Sequence, residues 1–518
     1  MSELAPASAR LSERARVLIF CILSLGQLIA LLDIQIVAGA LGPIQAGLSA
    51  GPDEVAWVQT AYLMAEIVMI PLAAFLARAF STRWLFVGSA ALFTVSSLMC
   101  GLAWDLETMI VFRALQGFTG GAMIPTVFAM GYALFEGRLR ERMTAMVGLL
   151  STLAPTLGPS IGGFITDISD WRWLFFINIG PGLLIVCVLP LLGKVDEARP
   201  ELLRRIDWVH VGSLALFLGG LQYVLEEGPR HEWLGDVGVA TAAWLTIVAA
   251  VVFLERSFNS ANPVVRLTPL RRPTFALACL LNLVIGFGLY ATIYLTPVFL
   301  GQVRHYTSLQ IGGVVLVSGF FMAVGAPIAM RLSALLGGRA VIGIGFTLFA
   351  VFLWMYSAIT PQWGFGELFW PQVVRGLAIL MCIFPAIAMA LGGVPQSELH
   401  NASGLFNLMR NLGGAIGIAV VNTWLIDFGR WHGLRIREGL GQAAEEAVVN
   451  LGVIAAREGA DPAAALGAVQ DLLAREAATM AFADVFRLMA WVFVATLLIV
   501  PFCKVPPSPG AEEAGTVH

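Results

Sequence analysis

The sequence predicts an all-α polytopic membrane protein, on three observations. Hydrophobic residues fill 58% of 518 positions, charged residues only 13%, and the mean hydropathy is +0.82. Globular domains carry about 25% charge, so this chain must use lipid as part of its solvent. Apolar runs long enough to cross about 30 Å of hydrocarbon recur from one end to the other. Arginine and lysine are divided unequally between alternate connections. The net charge of −3, with no basic patch, argues against nucleic acid as a partner.

The polar start holds Arg10, Arg14 and Arg16 before the first apolar run. From Val17 to about Leu41 that run is too long for a signal peptide, and it is read as a retained spanning helix. Further spans are expected near 54–77, 84–104, 108–134, 143–166, 173–193 and 208–226. The series continues near 237–255, 274–300, 309–335, 340–360, 370–394, 404–428 and 482–503. At roughly 20 residues per crossing the total is about fourteen, an even number that leaves both termini on one side.

Placing the N-terminus in the cytoplasm puts Arg78, Arg83, Arg138, Arg140, Arg142, Lys194 and Arg199 inside. Arg204, Arg205, Arg256, Arg266, Arg271, Arg272, Arg339 and Lys504 follow them. The short outside connections hold only Arg172, Arg230 and Arg304. This is the positive-inside pattern of an N-in, C-in protein. Residues 429–481 form one long outside connection, whose Ala/Leu-rich run from Asp461 to Met480 is expected to be an amphipathic helix. All six cysteines lie in apolar stretches without metal-ligand spacing, and they are read as buried thiols.

The two ends of the chain repeat one another. Pro71, Ala73, Leu76 and Arg83 match Pro327, Ala329, Leu332 and Arg339 with the same internal spacing. Leu157-Gly158-Pro159-Ser160-Ile161-Gly162 answers Leu412-Gly413-Gly414-Ala415-Ile416-Gly417, and one offset of roughly 255 residues serves both matches. The expected organisation is a six-helix bundle over 1–193, two inserted helices with their flanking loops over 194–273, and a second six-helix bundle over 274–518. Parallel repeats with a site between them are a transporter architecture.

Several motifs carry a family resemblance. Leu32-Asp33-Ile34-Gln35-Ile36-Val37-Ala38-Gly39-Ala40-Leu41 in helix 1 is similar to the LDxTIVNVALP signature of the fourteen-helix drug:proton antiporters in the major facilitator superfamily. Trp57-Val58-Gln59-Thr60-Ala61-Tyr62 opens helix 2, and Arg113-Ala114-Leu115-Gln116-Gly117 resembles that branch's RxxQG motif. Helix 5 holds Pro155, then Gly158-Pro159-Ser160-Ile161-Gly162-Gly163, which resembles the antiporter motif GPxxGG. Trp171-Arg172-Trp173-Leu174-Phe175-Phe176-Ile177-Asn178 looks like the WRWxFFIN of EmrB-type permeases. On helix 1, Gln35, Ala38 and Gly42 replace the signature's Thr, Asn and Pro. The loop between helices 2 and 3, Ala74 to Arg83, lacks the family's acid. In the superfamily that acid helps to latch the inward gate, so the latch must differ here.

The resemblance implies an exporter of hydrophobic, drug-like compounds in the bacterial inner membrane, driven by protons. Its implied partners are a periplasmic adaptor (a membrane fusion protein) and an outer-membrane channel. The 429–481 segment is a candidate docking element. A major-facilitator importer of a small nutrient is the alternative.

Ionisable groups at lipid depth are costly, and they mark candidate functional sites. Asp33 is the candidate proton carrier with Arg113 as its partner, and Glu66 is a second candidate. A carboxyl poised between desolvation and a nearby arginine can load a proton on one face and release it on the other. Gln116 and Gly117 belong to the helix 4 motif. Gln35, Tyr62, Glu66 and Arg375 are candidates for the substrate cavity. Arg410 is expected to snorkel at the end of its helix. Pro155, Gly158, Pro159, Gly162 and Gly163 are expected to pack helix 5 against the opposite half and to gate it. The sequence contains no GxxxxGK[ST] or HExxH, so neither an enzyme nor a cofactor is expected.

Overall fold

A computed structural model describes residues 12–51, 54–192, 196–260, 263–457 and 462–503. Arg10, Lys194 and Lys504 of the charge argument lie outside these, as do the side chains of Pro155, Ser160 and residues 439–466. Among the described residues the regular structure is helical. In chain order the helices are α1 (Glu13–Ala38), α2 (Leu41–Leu48), α3 (Trp57–Phe80), α4 (Thr82–Gly101), α5 (Leu106–Leu134) and α6 (Gly137–Ile168). Next come α7 (Trp173–Phe176), α8 (Ile179–Val188), α9 (Trp208–Glu227), α10 (Val237–Asn259), α11 (Pro273–Gln302) and α12 (Ser308–Leu336). The chain finishes with α13 (Gly338–Tyr356), α14 (Phe365–Leu391), α15 (Leu399–Arg457) and α16 (Pro462–Thr496).

Twelve helical segments among the described residues are long and apolar enough to cross a membrane. The 32-residue α6 contains side chains outside those described and is not counted, and the 29-residue α5 falls outside that set because its glycines and Arg113 dilute its hydropathy. Such residues suit helices that face protein, where close backbone approach replaces lipid contact. By contrast α10 turns Trp244, Leu245, Val248 and Val251 outward as a lipid-facing stripe.

The segment near 173–193 forms the expected span, with α7 and α8 separated at Ile177 and Asn178. Two expectations need correction. Residues 429–481 are not a loop with one helix, since α15 continues unbroken to Arg457 and α16 begins at Pro462. Two of the cysteines, Cys21 and Cys187, are exposed on the apolar surface rather than buried.

Packing repeats along the chain. α1 lies on α6 as α11 lies on α15, and α3 lies on α5 as α12 lies on α14. α4 touches α5 and α8, and α13 likewise touches α14 and α16. Close approaches recur at matching places: a Cβ on Gly162 would strike the Ile36 carbonyl, and one on Gly417 would strike the Phe287 carbonyl. The turns match as well. Ser81, between α3 and α4, has φ 71° and ψ 150°, and Gly337, between α12 and α13, has φ 79° and ψ 151°. That backbone suits glycine, so the serine copy is strained.

Candidate transport site

α1 carries Asp33 into the protein interior, where it is fully buried beside a fully buried Arg113 from α5. Arg113 Nη1 lies 2.5 Å from Asp33 Oδ2, and its Nε donates to the Val58 carbonyl at 3.0 Å. One helical turn along α5, Gln116 donates to Asp33 Oδ1 at 3.0 Å and accepts from Arg113 at 2.8 Å. Asn178 completes the shell with a 2.7 Å bond to the same carboxylate oxygen. The break between α7 and α8 falls at this residue. Ser97 accepts from both Gln116 and Asn178. A buried carboxylate holds its charge only when paired and hydrogen-bonded, and four elements converge here to do that.

Tyr62 is also fully buried, with its ring 4.3 Å from the Arg113 guanidinium. Gly117 lets α5 approach this point, because a Cβ there would strike the Tyr62 carbonyl. Tyr62 therefore belongs to the ion-pair cluster, not to the cavity wall.

The cavity lies alongside, between α1, α3 and α9 on one side and α11 and α15 on the other. Its volume is about 390 Å³, and it is walled by Leu31, Ile34, Leu63, Ile67 and Pro297 among others. Pockets of roughly 300–1,000 Å³ accommodate drug-sized ligands. Gln35, Gln59 and Glu66 supply polar groups from α1 and α3, and Asn411 and Asn422 from α15. Tyr290 and Tyr294 of α11 reach Asn411 and Asn422 respectively, each at 3.4 Å. Glu66 is 3% exposed, and its Oε1 has no hydrogen-bond partner among the described residues.

The motif on α6 packs differently from expectation. Gly158 lies against Gln35, Gly162 against Ile36, and Pro159 against Gly39, so these residues face α1 of the same half and not the opposite half. Gly163 is buried, and its carbonyl accepts from Thr166. Contact with the opposite half is made by α6 nearer its start, where Gly148 meets Ile383 and Leu380 of α14. Pro159 reaches the cavity wall, so the motif joins α1 to the cavity.

Arg375 does not line the cavity either. It is fully buried on α14, 3.3 Å from Gln372 and 3.4 Å from Ser318. Arg410 does not snorkel: it is 2% exposed in the interior, bonded to Asn407 at 2.9 Å and lying over Phe128. The helix around it starts at Leu399, ahead of the apolar run, which draws Arg410 inward.

The sequence profile of the Major Facilitator Superfamily matches residues 23–418. The chain belongs to the Major Facilitator Superfamily. A protein of Acinetobacter baumannii named colistin resistance protein EmrB is 41% identical over 82% of each chain. The multidrug export protein EmrB of Haemophilus influenzae is 31% identical, over 78% of this chain and 80% of the relative. The Escherichia coli protein of the same name is 27% identical over 97% and 98%. Among solved structures, the human organic anion transporter MFSD10 superposes with a TM-score of 0.56 at 14% identity, covering 92% of this chain and all but 1% of that one. That last likeness concerns the fold alone. As a member of the superfamily the chain is a secondary transporter, not an enzyme, and a multi-pass protein of the bacterial inner membrane.

Away from the cavity lining, polar bonds tie the two halves together. Ser403 of α15 donates to the Pro125 carbonyl at 2.7 Å. The loop between α3 and α4, which lacks the expected acid, borrows one from elsewhere. Asp196, in the segment after α8, accepts from the Thr82 backbone N–H at 2.9 Å and from its hydroxyl at 2.5 Å. Thr82 Oγ1 in turn sits 3.1 Å from Nε2 of His400 on α15. These residues, together with Asn178 and Ser97, were not singled out in the sequence. Only Asn178 carried a signal, as the last residue of the WRW motif.

Proposed function

We propose that this protein is a proton-driven exporter of hydrophobic, drug-like compounds that works by alternating access. Support comes from its membership of the superfamily and from relatives named as multidrug export proteins. The observation that carries the reading is the cavity between the two bundles, apolar, of drug size and adjacent to a buried carboxylate–arginine pair. The polar bonds of Thr82 with Asp196 and His400, and of Ser403 with the Pro125 carbonyl, tie the bundles together away from its lining, and we read them as the seal of one end.

In this reading the chain forms fourteen membrane helices, with α5 and α6 joining the twelve apolar segments. Both termini are cytoplasmic, and residues 1–193 and 274–518 act as the two moving bundles, with 194–273 inserted between them. The sealed end, which carries the arginine-rich loops, then faces the cytoplasm, and the cavity opens outward. Asp33 is paired with Arg113 in this conformation and is the proposed proton carrier when the bundles rock and the pair loosens. Glu66, at the cavity wall, is the second proton site. Loading a proton while substrate leaves couples the two fluxes.

The extended α15 and α16 beyond the bundle are the proposed contact for a periplasmic adaptor, which would lead to an outer-membrane channel. The direction of transport tests the central reading. In proteoliposomes with a pH gradient imposed, a hydrophobic dye is expected to move against the proton flux. Accumulation with the proton flux would instead identify a symporter.

A further inference from the structure

The packing that builds the Asp33 cluster recurs in the second half with one charge missing. In the first half α5 carries Arg113 and Gln116, Gln116 donates to Ser97 of α4, and α1 supplies Asp33. In the second half α14, which packs as α5 does, carries Arg375 and Gln372, again three residues apart. Gln372 accepts from Arg375 at 3.3 Å and donates at 2.8 Å to the hydroxyl of Tyr356 on α13, the counterpart of α4. α11 takes the place of α1, and it holds no Asp or Glu. From Pro273 to Leu391 the sequence has a single acid, Glu367, which caps α14 at the surface. Arg375 is fully buried, and its Nε and Nη2 have no hydrogen-bond partner among the described residues.

An arginine cannot shed its proton to escape burial, so a buried one needs a counter-charge. The chain supplies only neutral groups. Nη1 shares two long bonds, 3.3 Å to Gln372 and 3.4 Å to Ser318 of α12. Nε and Nη2 lie on one edge of the guanidinium, the fork that grips an anion with two parallel N–H bonds. Tyr356 is fully buried, and Thr296 of α11 sets a second buried hydroxyl beside its phenol. We propose that the second half holds a chloride ion on the Nε–Nη2 edge of Arg375, the counter-charge that Asp33 provides in the first half. Arg375, Gln372 and Ser318 have no exposed surface, which favours a small monovalent ion over phosphate or an organic acid. The ion is structural: it neutralises Arg375 where α12, α13 and α14 meet and so stiffens the second bundle. This role does not depend on the direction of transport.

The test uses the full chain purified in detergent with gluconate as the anion, and chloride, bromide or sulfate added back at constant ionic strength. The melting temperature of wild type is expected to rise along a saturating curve with chloride or bromide, and not with sulfate. Bound halide is also counted after desalting and denaturation, so that an ion retained through purification is seen. About one per chain is expected in wild type, for one guanidinium edge. Arg375→Gln is expected to lose both the halide and the response. Gln372→Glu is nearly isosteric and places a carboxylate against Arg375, with Tyr356 donating instead of accepting. It is expected to fold, to hold no halide and to melt at one temperature with or without chloride, which decides the matter even where Arg375→Gln fails to fold. Arg487→Gln removes a half-exposed arginine of α16 and leaves the halide response as in wild type. Wild type with neither bound halide nor a halide response would overturn the proposal. So would an equal response to sulfate, retention of the halide by Arg375→Gln, or an undiminished halide response in Gln372→Glu.

Discussion

At the scale of single residues, the question is whether the Asp33–Arg113 pair is more than a brace. Both are fully buried, so removing Arg113 alone strands a carboxylate. Arg113→Ala is expected to cost about 3–5 kcal/mol of stability, and Arg113→Ala combined with Asp33→Asn distinctly less. Melting of the purified variants in detergent checks this, and strictly additive losses would contradict the pairing. Asp33, Arg113, Gln116 and Glu66 were legible in the sequence because charges and amides stand out at lipid depth. Asn178 and Asp196 were not. Asn178 meets Asp33 across 145 residues, and Asp196 meets Thr82 across 114, contacts that periodicity and spacing do not encode. Arg410 shows the same limit from the other side: its distance from the helix end depends on where α15 starts, which an apolar window does not fix.

At the scale of elements, the glycine motif proved to be a seam between neighbours in one half. The sequence marks close packing at these residues without naming the partner, because small residues do not say against what they pack. Gly162 and Gly417 meet backbone carbonyls of α1 and α11, atoms that cannot swing aside. Gly162→Val and Gly417→Val are therefore each expected to destabilise the protein by about 1–3 kcal/mol or more, with the alanine variants milder. Thermal unfolding followed by size-exclusion chromatography reads the difference. The turn at Ser81 offers the opposite case. Ser81 holds a positive φ and caps α4 through a long 3.5 Å bond to Trp84. Ser81→Gly should raise stability by about 1 kcal/mol, since strain relief exceeds the few tenths lost from the cap. A lower melting temperature would show the cap to matter more than the strain.

At the scale of the whole molecule, polar bonds between the halves form the proposed seal, which includes a substitute for the missing loop acid. The repeat was legible in the sequence through Pro71–Arg83 and Pro327–Arg339, and the paired turns and packing agree with it in detail. The seal was not legible, because Asp196 comes from a stretch of chain without periodicity. Asp196→Asn weakens its bonds to Thr82 and is expected to shift the population away from this conformation. A cysteine placed at Asn422 should then react several-fold more slowly with an external thiol reagent, with Cys21 and Cys187 replaced by serine. Unchanged labelling would remove Asp196 from the seal. The central claim, that a buried carboxylate couples proton movement to export, is tested most directly by dye efflux from proteoliposomes under an imposed pH gradient, wild type against Asp33→Asn. The account predicts gradient-driven efflux in wild type and its loss in a folded Asp33→Asn variant. Equal gradient-driven efflux in both would contradict it.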